Sequence, residues 1–335
     1  MSGLKEIASA AGVSMTTVSN VINGNLKRVS RDKAEKIQAL IRERGYVPNQ
    51  AARNLAQRGS RIVAIIGQGS DDENIFLNPF NAAYFGALVM HMHKRDYTPL
   101  VRVTNNYRTI EQDIRGWNAA GVVITGSFIS NLRNITALSS IPTVLTDCYF
   151  DLPGASHVTL ADEVGGRIAG EYLADMGHRR IGFVANAYPD SDVDQKRLKG
   201  LRESLAARGI QVPEAWVIPS WNLEAHRDRF AAMLSAPEKP TAFFCSADFS
   251  AAGLIRMAGE FGLRVPEDLS VVGFDNLPLC SLISPRLTTV AQDANAKAEM
   301  TVDMLVRHIE DRTLPPEREV LGVRLVERES VRRLG

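Results

Sequence analysis

The chain has 335 residues, 45% of them hydrophobic and 23% charged, a balance that fits a globular protein of two or three compact units and excludes disordered, collagen-like and membrane-embedded classes. Its formal net charge of +1 hides an asymmetry, because residues 1–60 carry ten Lys and Arg against four Asp and Glu, making that segment +6 and the remainder −5. A basic N-terminal piece on an acidic body is the pattern of a nucleic-acid-binding appendage.

Cys148, Cys245 and Cys280 are far apart and have neither pairing nor metal spacing, so they read as small core hydrophobes in a reducing compartment. The start of the chain, Met1-Ser2-Gly3-Leu4-Lys5-Glu6, has no signal-peptide apolar run, and no stretch approaches the ~20 apolar residues of a membrane span. A cytoplasmic protein with no membrane partner is expected.

Leu4, Ile7, Ala8 and Ala11 form the apolar stripe of a short first helix, which Gly12 ends with a tight turn. Ser14 can cap a second helix over 15–22. There Val18, Val21 and Ile22 face inward, while Thr16 and Asn20 share the outer face, as suits a helix that reads a major groove. Ser30 is placed to cap a third helix, closed by Ala34, Ile37, Leu40 and Ile41 and ended by Gly45. Spacing alone also fits three surface helices of a larger domain; the charge split favours DNA. Residues 50–57 have good helix propensity over only two turns, marginal without a partner, so ordering on binding is expected. Asn49 can cap this segment, and Ala52 and Ala56 are small enough for close helix pairing. Leu55 is its one large apolar residue, suited to docking on the body or to a role on DNA.

From residue 61, continuous apolar runs alternate with amphipathic segments of helical length. Runs at 62–66, 100–103, 122–124, 144–145, 181–184, 242–245 and 271–274 predict strands covered on both faces. Helices are predicted between them, at 165–176 and 197–208 among others. The body is therefore parallel α/β, and its 275 residues suggest two similar lobes.

The segments Leu4-Lys5-Glu6-Ile7-Ala8, Ala11-Gly12-Val13-Ser14, Thr17-Val18-Ser19-Asn20-Val21-Ile22-Asn23-Gly24, Gly45-Tyr46-Val47-Pro48-Asn49 and Ala52-Arg53-Asn54-Leu55-Ala56, in order and at matching spacing, closely resemble the head of the LacI/GalR family of bacterial regulators. The resemblance continues more loosely through 61–330, best at Gly177-His178-Arg179-Arg180-Ile181, Ser270-Val271-Val272-Gly273-Phe274-Asp275 and Leu287-Thr288-Thr289-Val290. It implies a small all-α helix-turn-helix head (1–46), a hinge (47–60) and a periplasmic-binding-protein-like body (61–335) of two parallel-sheet lobes. The expected lobes are 61–159 with 290–320, and 160–289 with 321–335.

The same resemblance implies a homodimeric regulator, a repressor, on a near-palindromic double-stranded DNA operator, controlled by a small polar effector such as a sugar, acid or nucleobase. It places Leu4 at the DNA interface and Met15, Thr16 and Asn20 near base edges. Ser14, Thr17, Ser19, Asn23 and Tyr46 fall near phosphates. Asn49, Ala52 and Leu55 belong to a hinge helix whose leucines wedge a central base step in the minor groove. In the body it implies effector contacts from Arg197 and Asp275, with Asp147, Asn78, Phe80 and Trp221 completing the site at the carboxyl ends of strands. Turn, ion-pair and core roles remain the ordinary alternatives for these six. Nucleoid association accompanies operator binding.

Two positions depart from the family pattern. Asn20 stands where arginine is common, and asparagine favours adenine over guanine. Ala247, in Ser246-Ala247-Asp248, replaces an amide contact. Gly67-Gln68-Gly69 after a strand suggests a dinucleotide turn, but Asp72 stands at the third glycine position and opposes a pyrophosphate. Walker, nucleophile-elbow and His-Glu-x-x-His motifs are absent, and His91 and His93 would not share a helical face. No enzyme, cofactor or metal is expected. A transport-type binding protein of the same fold without a regulatory role is the alternative, disfavoured by the basic head and the lack of a leader. No heptad tail follows 323–326, so a coiled-coil tetramer is not expected.

Overall fold

The computed structural model describes residues 4–22, 26–45, 60–69, 74–104, 106–126, 138, 140–186, 191–219 and 222–335. It divides into two units, Met1–Ser60 and Arg61–Gly335.

In the first unit, helices α1 (Leu4–Ala11), α2 (Met15–Ile22) and α3 (Arg31–Glu43) close a core of Ile7, Ala8, Ala11, Val18, Val21, Ala34 and Ile37, flanked by Leu4, Ile22, Leu40 and Ile41. Gly12, at φ +69°, makes the turn between α1 and α2 in a conformation costly for residues with a Cβ. Ser14 caps α2, its Oγ accepting from the Thr17 N–H at 3.1 Å. The expected Ser30 cap is half right: Ser30 has the extended backbone of an N-cap, but its side chain makes no capping bond. Lys36 Nζ instead reaches back to the Ala11 carbonyl at 3.3 Å, which satisfies the end of α1.

The second unit holds two six-stranded sheets. The first contains β1 (Ile62–Gly67), β2 (Thr98–Val103), β3 (Gly121–Thr125), β4 (Thr143–Thr146), β5 (Ser156–Leu160) and β11 (Arg318–Leu321), all parallel, in the order β11-β5-β4-β3-β1-β2. The second contains β6 (Ile181–Val184), β7 (Val217–Ile218), β8 (Ala242–Cys245), β9 (Ser270–Asp275), β10 (Thr288–Ala291) and β12 (Arg324–Val326) in the order β12-β10-β9-β8-β6-β7; here β12 alone runs antiparallel. The inner strands are buried along their length, as continuous apolar runs require. Both sheets follow one winding order although no sequence repeat betrays it.

Helices α4 (Pro79–Lys94) and α10 (Ala294–Glu310) cover one face of the first sheet, and α5 (Tyr107–Gly116) covers the other. On the second sheet α6 (Asp162–Asp175) and α7 (Asp192–Ala206) lie opposite α8 (Arg227–Ser235) and α9 (Asp248–Glu260). The chain changes lobe three times, after Leu160, Ala291 and Leu321. Val290 thus belongs to the second sheet and Leu321 to the first, one or two residues from the expected boundaries, because each crossing lies in the loop beyond a completed strand.

Helices α6 and α7 also start earlier than their apolar pattern suggests. α6 begins at Asp162 rather than at 165, and α7 at Asp192 rather than at Arg197. Ser191 caps α7 by accepting from the Asp194 N–H at 3.2 Å, and Asp192 and Asp194 favour the helix's positive end. Arg197 is therefore in the second turn, where it points from a fixed helix. Among the described residues no helix is long and apolar enough to cross a membrane.

Candidate functional site

Two surfaces carry chemistry. On the head, α2 spends its apolar side on the small core and presents the rest outward. Thr16 is exposed, Thr17, Ser19 and Asn20 are half-buried, and Met15 is 52% exposed although it is apolar. Ser14 is exposed, and its Oγ also lies 2.9 Å from Thr17 Oγ1, which orients both hydroxyls. Leu4 instead packs half-buried against the head core. Asn23, Tyr46, Asn49, Ala52 and Leu55 lie outside the described residues.

In the body, the carboxyl ends of strands from both sheets converge on a buried polar cluster. Arg197 is 5% exposed. Its Nε donates to Asp162 Oδ1 at 2.7 Å, its Nη1 donates to the Ser246 carbonyl, and its guanidinium lies 3.4 Å above the Phe274 ring. Asp162, fully buried at the first turn of α6, also accepts from the Tyr149 hydroxyl. Asp147, just past β4 at φ +56°, is paired with Lys297 of α10, itself 1% exposed. Asp275 closes β9 at φ +117°, a strained conformation for a residue with a Cβ, and Oδ1 accepts from Gln292 Nε2 at 2.6 Å. Lys196 stands half-buried 4.5 Å above the Tyr149 ring.

The electrostatics follow from this crowding. Burial pushes the Asp162 carboxyl up, and the Arg197 charge opposes that push. Burial also lifts Asp275 well above the carboxylate range, helped by the nearby Asp248 charge. Desolvation works against the Arg197 cation, but Asp162 and Asp275 outweigh it and hold its pKa above the ordinary value. The Tyr149 hydroxyl is raised by burial and by Asp162, so it remains a donor.

A groove of roughly 880 Å³ is lined by Phe80 of α4, by Asp275, Asn276 and Leu277, and by crossover residues including Gln292 and Val323. Of the six body residues expected from sequence, Phe80 and Asp275 line this groove, while Asp147 and Arg197 belong to the buried cluster. Asn78 is the N-cap of α4, its Oδ1 accepting from the Phe80 and Asn81 N–H groups at 2.9 and 3.4 Å. Trp221 lies outside the described residues. Asp248 is a structural staple, accepting from Thr289 Oγ1 (2.6 Å), the Leu277 N–H (2.8 Å) and Cys280 Sγ (2.9 Å). Among the described residues no cluster of His, Cys, Asp and Glu has metal-binding geometry.

Three members of the cluster escaped the sequence reading. Lys297 has a recognisable signal: it is a lysine on the same helical face as Ala298, Thr301 and Val302, all buried. Asp162 reads as an ordinary N-terminal helix carboxylate, and Tyr149 as a loop residue; only the fold brings either to Arg197.

Comparison with known proteins follows the same division. Residues 3–49 match the model of bacterial regulatory proteins of the lacI family, and residues 171–331 match a periplasmic binding protein-like domain. In head and body alike the chain is similar to regulators of the LacI/GalR family. It is a DNA-binding transcription regulator and not an enzyme. The ribose operon repressor of Haemophilus influenzae is 28% identical over 316 residues, covering 93% of each chain. The transcriptional repressor PurR of Escherichia coli is 29% identical over an alignment of 350, covering 99% of this chain and 97% of PurR. Among solved structures, the lac repressor dimer bound to operator and the anti-inducer ONPF matches with TM-score 0.87 at 26% identity over 99% of both chains. A CelR–cellobiose complex matches with TM-score 0.73 at 27% identity, covering 98% of this chain and all of CelR.

Proposed function

We propose that this chain is a dimeric, cytoplasmic repressor that reads a near-palindromic operator with α2 and is controlled by a small polar effector held between its lobes. The observation that carries the reading is the division of labour on α2. Val18 and Val21 are used by the head's own core, whereas Met15, Thr16 and Asn20 stand outside it and are left to face bases. Ser14, Thr17, Ser19, Asn23 and Tyr46 serve the phosphates, and Leu4 supports the interface from the head core. The operator pattern and dimerisation are features of the lac repressor complex carried over to this chain; repression follows its repressor relatives.

The proposed units are a head over 1–46, a hinge over 47–60 and the effector body over 61–335. The hinge residues Asn49, Ala52 and Leu55 order on the minor groove in this scheme. The effector contacts Asp275 and Arg197, with Asp147 and Trp221 beside them, Phe80 as an apolar wall and Asn78 holding the start of α4. Effector binding alters the geometry of the lobes and thereby the tendency of two hinges to fold together, through a difference in affinity for the two states. The protein is nucleoid-associated while on its operator.

The test is operator selection followed by titration at several salt concentrations. Steep loss of affinity with salt is expected, a slope near −0.9 for each phosphate neutralised, and it disappears when residues 1–60 are removed. Salt-insensitive DNA binding, or binding that survives the deletion, refutes the reading. A thermal-shift screen of sugars, organic acids and nucleobases then identifies effectors as ligands that raise Tm and change operator affinity.

A further inference from the structure

We infer that Asp162 determines the charge selectivity of the inter-lobe site: by satisfying Arg197 from within the chain, it excludes anionic effectors and reserves the site for uncharged or cationic ones. The inference deepens the effector reading above and rests on it.

Both cations buried in the cluster are already paired, Arg197 with Asp162 and Lys297 with Asp147. Arg197 is also held by the Ser246 carbonyl and the Phe274 face, so it is committed in position as well as in charge. The third carboxylate, Asp275, is held by the amide of Gln292 rather than by a cation. An entering carboxylate or phosphate thus finds both buried cations already neutralised by Asp162 and Asp147 and must shed its water with no counter-charge to take it, a costly way to bury an ion. Lys196 is only half-buried and stands over the Tyr149 ring, so it is not one of the buried cations that Arg197 and Lys297 supply.

Displacing Asp162 is equally unfavourable. Its second oxygen accepts from Tyr149, and its helix is seated directly against the helix of Arg197. A Cβ placed on Gly166 of α6 would lie 1.9 Å from the Arg197 carbonyl oxygen, and one on Gly200 of α7 would lie 1.9 Å from the Glu163 carbonyl oxygen. The two backbones are in contact at the level of the ion pair, so the distance is set by the helices and not by flexible side chains. An uncharged polyol or an amine meets no such conflict and gains the acceptors of Asp147 and Asp275.

Removing the Asp162 charge leaves a buried, unpaired guanidinium, which then seeks an anion from solution. The experiment compares full-length wild type with Asp162→Asn by thermal shift and calorimetry, using inorganic phosphate against chloride at matched ionic strength. Wild type is expected to show no phosphate-specific rise in Tm. Asp162→Asn is expected to bind phosphate at least about tenfold more tightly than wild type, and Arg197→Gln on the same background abolishes the gain. Where the Asn variant unfolds in chloride, Asp162→Ser is measured alongside it, and rescue of either variant by phosphate supports the proposal.

Three results overturn it: Arg197-dependent phosphate binding by wild type, no gain in a folded Asp162 variant, or failure of both variants to fold with or without phosphate. The effector reading stands on a separate arm, in which hits from the sugar and amine screen are repeated on Asp275→Asn. Hits indifferent to that change move the effector site elsewhere while leaving the phosphate result as a property of the buried pair.

Discussion

Arg197 and Asp162 share one hydrogen bond and are almost wholly shielded from solvent, and such a pair behaves asymmetrically under mutation. Taking away one partner strands the other charge, at a cost of about 3–5 kcal/mol, whereas replacing both with apolar residues of similar volume is close to neutral. Arg197→Met and Asp162→Leu should therefore each lower stability strongly, and the double variant should recover most of the loss in urea denaturation. Additive losses in the double variant would show that the pair is not coupled. His178 offers a second test at this scale. It is fully buried, with Nε2 donating to the Arg332 carbonyl at 3.2 Å and Nδ1 2.9 Å from the Thr241 hydroxyl; desolvation lowers its pKa to about 4. In the unfolded chain it titrates near 6.5, so between those values the unfolded state alone binds the proton, and stability falls as pH drops from 6.5 to 4, by up to about 3 kcal/mol. Asp248, raised by burial to about 6, acts with the opposite sign, its contribution present at low pH and lost as pH rises through 6. The difference between wild type and His178→Gln isolates the histidine: it should shrink on going from pH 7.5 to pH 4.5, and a constant difference would rule the histidine out as its source. At the DNA face, Asn20→Arg should shift the base selected beneath α2 from adenine toward guanine in a binding selection; an unchanged preference would show that position 20 does not read that base.

Elements of this fold were legible to different degrees, for physical reasons. Strands buried on both faces announce themselves as apolar runs, so β1, β3, β4, β6, β8 and β9 follow directly from the sequence. β11 carries Arg318, Glu319 and Val320 exposed at a sheet edge, and β7 has only two residues; neither is long or apolar enough to stand out. The head was legible almost throughout because its core is local. The cluster was not, because its pairing depends on α6 and α7 touching through glycines that look unremarkable in sequence. That contact gives the element-scale prediction. Gly166→Ala and Gly200→Ala each drive a Cβ into a backbone carbonyl, which no side-chain rotation can relieve, so the helices must part and the Arg197–Asp162 bond must lengthen. A loss of at least about 1–3 kcal/mol in each is expected, together with loss of effector response. Gly259→Ala in α9, where an added Cβ meets nothing within 4 Å, should be neutral or gain about 0.5–1 kcal/mol. Equal behaviour of all three variants in thermal denaturation would show that close packing is not the cause.

For the molecule as a whole, the head and the body differ in how far along the chain their contacts reach. Every helix of the described head closes within 45 residues, whereas the first sheet of the body needs β11 and the second needs β12, both contributed by the last eighteen residues of the chain. The tail beyond β12 is also built in: the Val271 N–H donates to the Ser330 carbonyl at 2.8 Å, and the Leu334 N–H to the Met176 carbonyl at 2.8 Å. During synthesis the DNA-reading unit can therefore fold as soon as it emerges, long before either lobe has its full set of strands. A ribosome stalled before β11 is made would hold a finished reader attached to an unfinished sensor. The three passages between lobes thus put off the moment at which this regulator first becomes answerable to its effector until β11 and β12 have been made.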